Sequence, residues 1–247
     1  MFRKRLLTFG VIVVFLGVFA GFSNYSNRDG VSRFNNEYVK ESAFVNRVID
    51  GDTIELKNEE TIRLLGINTP ERGKYYYNEA KDFLQEINGK NIETLRDFED
   101  VGYRGRKLRY IFEGSRFFNV EILEKGLGTS YMLDDLKYKE KLIDAENFAK
   151  DNEIGLWEKS SSDCVNHIEL VELNAGDEYF ILRNNYNSDC DLSGWIIKDN
   201  ANHFFKLDGL KGGELRKYES NGNIWNNNGD RFFMRDDVGK LVLFYEY

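Results

Sequence analysis

Arg63-Leu64-Leu65-Gly66-Ile67-Asn68-Thr69-Pro70-Glu71 is the stretch on which the fold turns. With Thr61 and Ile62 before it, the run reads as a β-strand as far as Ile67. Pro70 then stops it, because proline has no N–H for a ladder and keeps the preceding residue out of the helical region. Working outward toward the N-terminus, Thr53-Ile54-Glu55-Leu56 reads as a second strand and Phe44-Val45-Asn46-Arg47-Val48-Ile49 as a first. Asp50-Gly51-Asp52 and Asn58-Glu59-Glu60 are the turns between them, so the three strands form a meander.

Toward the C-terminus, Ala80, Phe83, Leu84 and Ile87 recur at helical spacing within Asn78 to Ile87, and Asn88-Gly89 stops the helix. Asn91 to Leu95 and Lys107 to Phe112 read as two more strands, separated by a polar loop. Asn119 to Lys125 is a short helix closed by Gly126, and Leu136 to Asp151 is a longer one. Five short strands with three helices over 41–158 predict a mainly β fold, a small closed barrel of the OB type.

Scarcity limits the chemistry available to this barrel. The 247 residues include two His, two Cys and one Pro, where average usage gives roughly a dozen Pro. His167, His203, Cys164 and Cys190 all lie in the last third. Histidine triads, catalytic thiols and Cys/His zinc sites are therefore excluded from the first two thirds. Oxygen donors remain. Asp52, Asn68 and Thr69 offer the carboxylate, amide and carbonyl oxygens that a hard cation such as Ca²⁺ takes. Arg63 and Arg106 are two guanidinium forks able to grip a phosphodiester, and Glu71 can take a proton from an attacking water. The net charge of −8 excludes a general nucleic-acid coat; a polyanion would have to be met at a local site with a helper cation. Taken singly, Asp-Gly-Asp is a hairpin turn, Thr-Pro-Glu a strand end and Arg104 to Arg109 a solvated strand face. Their joint order is what carries chemistry.

In that order, Val48-Ile49-Asp50-Gly51-Asp52-Thr53, then Arg63 to Glu71, then Tyr103-Arg104-Gly105-Arg106-Lys107-Leu108-Arg109-Tyr110 resemble the thermonuclease family of staphylococcal-nuclease-like OB barrels. Glu124-Lys125-Gly126-Leu127 and Gly155-Leu156-Trp157 agree with it, and the resemblance covers about 41–158. It implies Ca²⁺-dependent cleavage of DNA and RNA that leaves 3′-phosphate ends. By position it makes Asp52, Asn68 and Thr69 metal ligands, Arg63 and Arg106 phosphate-binding catalytic residues, and Glu71 the base. Arg104, Lys107 and Tyr131 are further candidates to touch substrate, and the Tyr75-Tyr76-Tyr77 run reads either as a base-stacking surface or as packing. Two positions depart from the pattern: Asn68 stands where the family has Asp, which removes one negative charge from the ligand set, and Arg104 stands where it has Tyr.

After a polar linker, 159–163, short apolar runs divided by Asn, Asp and Gly fill 164–247 and predict a β-sandwich. Asp191-Leu192-Ser193-Gly194-Trp195, Asn228-Gly229-Asp230 and Asp236-Asp237-Val238-Gly239-Lys240 resemble the lamin tail domain, an immunoglobulin-like sandwich. That resemblance implies an accessory or targeting module with no catalytic residues to transfer and leaves its partner unnamed. Trp195 and Trp225 read as core. Cys164 and Cys190 are expected to form a disulfide if the chain is outside the cytoplasm.

The N-terminal 22 residues predict that location. Arg3, Lys4 and Arg5 precede an uncharged run from Leu6 to Phe22, which describes either a membrane anchor, as a helix of about 25 Å, or a cleaved signal. Both put the remainder outside the cytoplasm, and the polar residues 23–40 read as a spacer. The function expected is an extracytoplasmic Ca²⁺-dependent nuclease; the alternative is a nuclease-fold binding module whose metal site is weakened at Asn68.

Overall fold

The computed structural model describes residues 39–98, 100–131 and 134–247, so the N-terminal run 1–22 and nearly all of the spacer lie outside the described residues. The first half begins with β1 (Glu41–Asp50), β2 (Thr53–Leu56), β3 (Thr61–Leu64), a two-residue β4 (Ile67–Asn68) and helix α1 (Tyr77–Leu84). It continues through β5 (Asn91–Leu95), β6 (Lys107–Glu113), β7 (Arg116–Phe117), α2 (Phe118–Glu124), β8 (Thr129–Ser130) and α3 (Lys139–Asp151).

β1 is long because it serves two neighbours. Its first four residues pair with β5, and Val45 to Asp50 pair with β2, with irregularities at Val45/Arg47 and Val48/Asp50. Such bulges sharpen the twist that lets a short sheet curl. The curl closes when β3 pairs in parallel with β6, Ile62 to Lys107 and Leu64 to Arg109, giving a five-stranded barrel. Alternation along β3 sends Ile62 and Leu64 into the core and leaves Arg63 half-buried on the other face. Inside, Val45, Ile54, Ile62, Leu64 and Tyr110 meet Leu84 of α1, Phe118 of α2 and Leu142 of α3. The third helix begins at Lys139, later than the apolar spacing from Leu136 predicts, because 137–138 turn the chain into its first turn.

The second half holds β9 (Ile168–Asn174), β10 (Tyr179–Asn184), β11 (Ile196–Lys198), β12 (Phe204–Lys206), β13 (Leu215–Glu219), β14 (Arg231–Arg235) and β15 (Leu241–Glu246). They form two antiparallel sheets, β13-β10-β9 and β12-β11-β14-β15. Phe180, Trp195, Trp225, Phe232 and Met234 are buried between them, as a sandwich requires. β13, Leu-Arg-Lys-Tyr-Glu, has no apolar run, since it is an edge strand exposing Leu215, Lys217 and Glu219. A Cys164–Cys190 disulfide ties the start of this half to the segment before β11.

The two halves share a third core. Trp157 is fully buried against Phe233 and Phe244, with Ala149 and Leu241 around it. The connector is drawn into the seam as well: Lys159 bridges Leu241 in parallel, and the Ser160 N–H donates to the Leu241 carbonyl (2.9 Å).

Candidate functional site

Asp52 is the centre of the site, in the turn between β1 and β2 and only 4% exposed. The turn is tight because Gly51 presses on the next loop; a Cβ there would stand 2.7 Å from the Ala80 Cβ and 2.9 Å from Thr69 Oγ1. That approach brings Asp52 to the end of β3 and β4. Its Oδ2 accepts the Thr69 N–H (3.3 Å) and pairs with Arg63 Nη1 (2.5 Å), while its Oδ1 accepts the Thr53 hydroxyl (2.8 Å). Arg63 Nη2 donates to Asn68 Oδ1 (3.0 Å) and to the Ile67 carbonyl (3.2 Å). Arg106, just before β6, donates from Nη1 to Thr53 Oγ1 (3.4 Å). One continuous hydrogen-bonded network thus links Asp52, Thr53, Arg63, Asn68, Thr69 and Arg106.

Electrostatics sharpen the centre. Asp50 lies behind Asp52 and accepts its N–H (3.2 Å). Burial and then the Asp52 charge push the Asp50 carboxyl up to about 6. Crowded carboxylates of this kind are relieved by a cation. Reading by motif treats Asp50 only as a turn residue, and no spacing signal marks it otherwise.

The remaining candidates spread outward. Glu71 follows two residues after Thr69, exposed and with no side-chain hydrogen bond among the described residues. Tyr131 is half-buried beside the site loop, its N–H donating to the Gly66 carbonyl (3.0 Å). Arg104 is exposed in a turn with φ of 63°. Lys107 is not drawn into the network: its ammonium pairs with Glu60 (2.5 Å) at a cleft lined by Glu41, Asn58 and Arg109. Tyr75 and Tyr76 turn toward the second half, Tyr75 Oη donating to the Asp237 carbonyl and Tyr76 Oη accepting from Lys240 Nζ (3.5 Å).

That second half reaches the site itself. Asn68 Nδ2 donates to the carbonyl of Asn200 (3.1 Å), in the turn between β11 and β12. Beside this contact Pro70, Lys74 and Tyr75 face Lys198, Asn202 and Phe204 across a crevice of about 30 Å³. Lys74 lies 4.0 Å over the Phe204 ring. A second polar bridge runs through Glu146 of α3, which is 2% exposed. Glu146 accepts the Ser130 N–H (2.8 Å) and hydroxyl (2.6 Å), and pairs with Arg231 of β14 (3.0 Å). Ser130 lies on β8, which pairs with β4 and so holds Asn68 in place.

A family model for staphylococcal nuclease homologues matches residues 61–159. The thermonuclease of Staphylococcus intermedius is 30% identical over 168 residues, covering 63% of this chain and 99% of that protein. The chain belongs to the staphylococcal nuclease family. Two further relatives are an uncharacterized protein of Methanocaldococcus jannaschii, 31% identical over 47% of this chain and 71% of its own, and an uncharacterized protein of Capnoides sempervirens, 29% identical over 51% and 39%. The family-model match ends at 159, so β9 to β15 of this staphylococcal nuclease homologue lie beyond it.

Among the described residues no group of three or more His, Cys, Asp or Glu is arranged to hold a metal. The oxygens that do converge are hard ones: Asp52 Oδ2 and Asn68 Oδ1 already meet on one positive group, the Arg63 guanidinium. One carboxylate with amide and carbonyl oxygens fits a weakly held Ca²⁺.

Proposed function

We propose that this staphylococcal nuclease homologue is a Ca²⁺-dependent nuclease acting outside the cytoplasm, hydrolysing phosphodiester bonds of DNA and/or RNA to leave 3′-phosphate ends. The observation that carries the reading is the single network through Asp52, Thr53, Arg63, Asn68, Thr69 and Arg106. Asp52, Asn68 and the Thr69 carbonyl would hold the ion. A bound Ca²⁺ supplies positive charge against the phosphate in a chain of net charge −8. Arg63 and Arg106 take the non-bridging phosphate oxygens, and their fixed N–H donors stabilise the charge that builds in the five-coordinate transition state. Glu71 removes the proton of the attacking water, for which an exposed carboxylate is well placed. The sandwich serves as a lamin-tail-like accessory module, and the N-terminal run as anchor or signal.

Digestion of plasmid, single-stranded DNA and RNA by the soluble chain, with Ca²⁺ or with chelator, tests the reading. Cleavage only with Ca²⁺ is expected; no cleavage at millimolar Ca²⁺ overturns it. One observation favours a second reading, a non-catalytic binding module: the Asn68 amide contributes no charge and is bonded at both ends. Retention of labelled single-stranded DNA without cleavage would select that reading.

A further inference from the structure

Asn68 is an amide, and an amide has one end that can face a cation and one that cannot. Its oxygen accepts and its nitrogen only donates, so a flipped amide presents N–H groups where a ligand oxygen is needed. A carboxylate has no such problem, its two oxygens being equivalent. The network around Asn68 permits a single orientation. Arg63 can only donate, so it meets Oδ1 (3.0 Å); the Asn200 carbonyl can only accept, so it meets Nδ2 (3.1 Å). Of these two constraints, Arg63 belongs to the group assigned to phosphate. Once its guanidinium turns to a phosphate, the Asn200 carbonyl is the contact that still fixes the amide. We infer that the turn between β11 and β12 is a positioning element of the nuclease site: the carbonyl of Asn200, from the second half of the chain, orients the Asn68 side chain so that its oxygen faces the metal. The inference rests on the metal reading above.

The turn is built to hold that carbonyl still. The Asn200 N–H donates to Asp230 Oδ1 (3.1 Å). Asp199, fully buried, accepts the His203 N–H (2.7 Å) and meets His203 Nδ1 (2.6 Å), closing the turn on itself. Asn200 Oδ1 is buried with no hydrogen-bond partner among the described residues, an acceptor left over at the same place. Asn68 is itself only 8% exposed beneath the turn.

The test is a double-mutant cycle read as Ca²⁺ affinity by calorimetry and as Ca²⁺-induced shift in Tm, neither of which needs turnover. In one arm Asp199 to His203 are replaced by Asn-Gly, a two-residue hairpin that keeps the Lys198 to Phe204 register. A second, milder variant, Asp230→Ala, loosens the anchor of the Asn200 N–H. Each is made with Asn68 and with Asn68→Asp. With Asn68 present, either change is expected to weaken Ca²⁺ binding about 10-fold, the usual cost of losing a contact that orients a ligand. With Asn68→Asp, the same changes are expected to leave affinity unaltered, because a carboxylate needs no orienting. Equal losses in both backgrounds would reduce the turn to a general structural support and overturn the inference. Tighter binding after the turn is shortened would make it a cover over the site and overturn it equally. Absence of Ca²⁺ binding in every variant overturns the metal reading and this inference together, whereas binding indifferent to the turn overturns this inference alone.

Discussion

Two of the buried carboxylates in the first half, Asp52 and Glu146, find their cations in different places. Asp52 takes Arg63 from the neighbouring strand of the same barrel, 11 positions along the chain. Glu146 takes Arg231 from the sandwich, 85 positions away. The first pair is therefore complete within the family's own domain, and the second exists only when both halves are folded and docked. A protein built this way completes the Asp52–Arg63 pair in one half and braces the strand paired with Asn68 partly from the other.

The comparison is broken most directly at the chemical end. Glu71→Gln is expected to lower kcat by about 10²–10⁴-fold with little change in thermal stability, since Glu71 is exposed. Normal cleavage by that variant would remove Glu71 from the mechanism. At the seam, Trp157→Ala should destabilise by about 3–5 kcal/mol in denaturant unfolding, because a fully buried indole touching both halves is lost. Glu146→Ala should cost about 1–3 kcal/mol, by leaving the buried Ser130 N–H and hydroxyl without their acceptor while Arg231 keeps Glu246 (3.1 Å). If either change loosened only the sandwich and left barrel unfolding untouched, the seam would not couple the halves. Within the sandwich, reducing Cys164–Cys190, separated by 26 positions, should cost about 2–4 kcal/mol and leave Ca²⁺ affinity alone, since neither cysteine hydrogen-bonds to the 199–203 turn or to Asn68 among the described residues.

A further effect is a slope with pH. Lys198, at the seam, is pushed down to about 7 by burial and then by the Arg235 charge, from an ordinary value of 10.5. Between those values the unfolded chain holds a proton that the folded chain has released, so stability rises with pH across that window. The Tm of the native protein relative to Lys198→Met is expected to climb as pH passes from about 7 toward 10. A falling difference would show that the ammonium is better served in the folded state than its surroundings imply.

Much of the barrel was legible because its signals are local. Alternation over Thr61 to Leu64, the Asp-Gly-Asp turn and the stop at Pro70 each act within a few residues, and together they bring Asp52, Arg63, Asn68 and Thr69 to one point. Lys107 stands in a basic run beside Arg106, and its ammonium is held by Glu60 at a separate cleft, which the run by itself does not announce. β13 was silent because an edge strand needs no apolar residues facing water. Glu146 was silent because an acidic residue in a helix usually faces solvent, and nothing nearby in the chain announces Ser130 or Arg231.

The amino-acid sequence by itself determined which oxygens meet Arg63 at the end of β3 and β4, since hairpins and a proline turn fix short-range geometry wherever they fold. Only the tertiary structure decided which way the Asn68 amide faces and what covers it. Its nitrogen is held by a carbonyl 132 positions along the chain. A contact between such distant segments depends on how two cores pack around Trp157, and no periodicity in either segment encodes it.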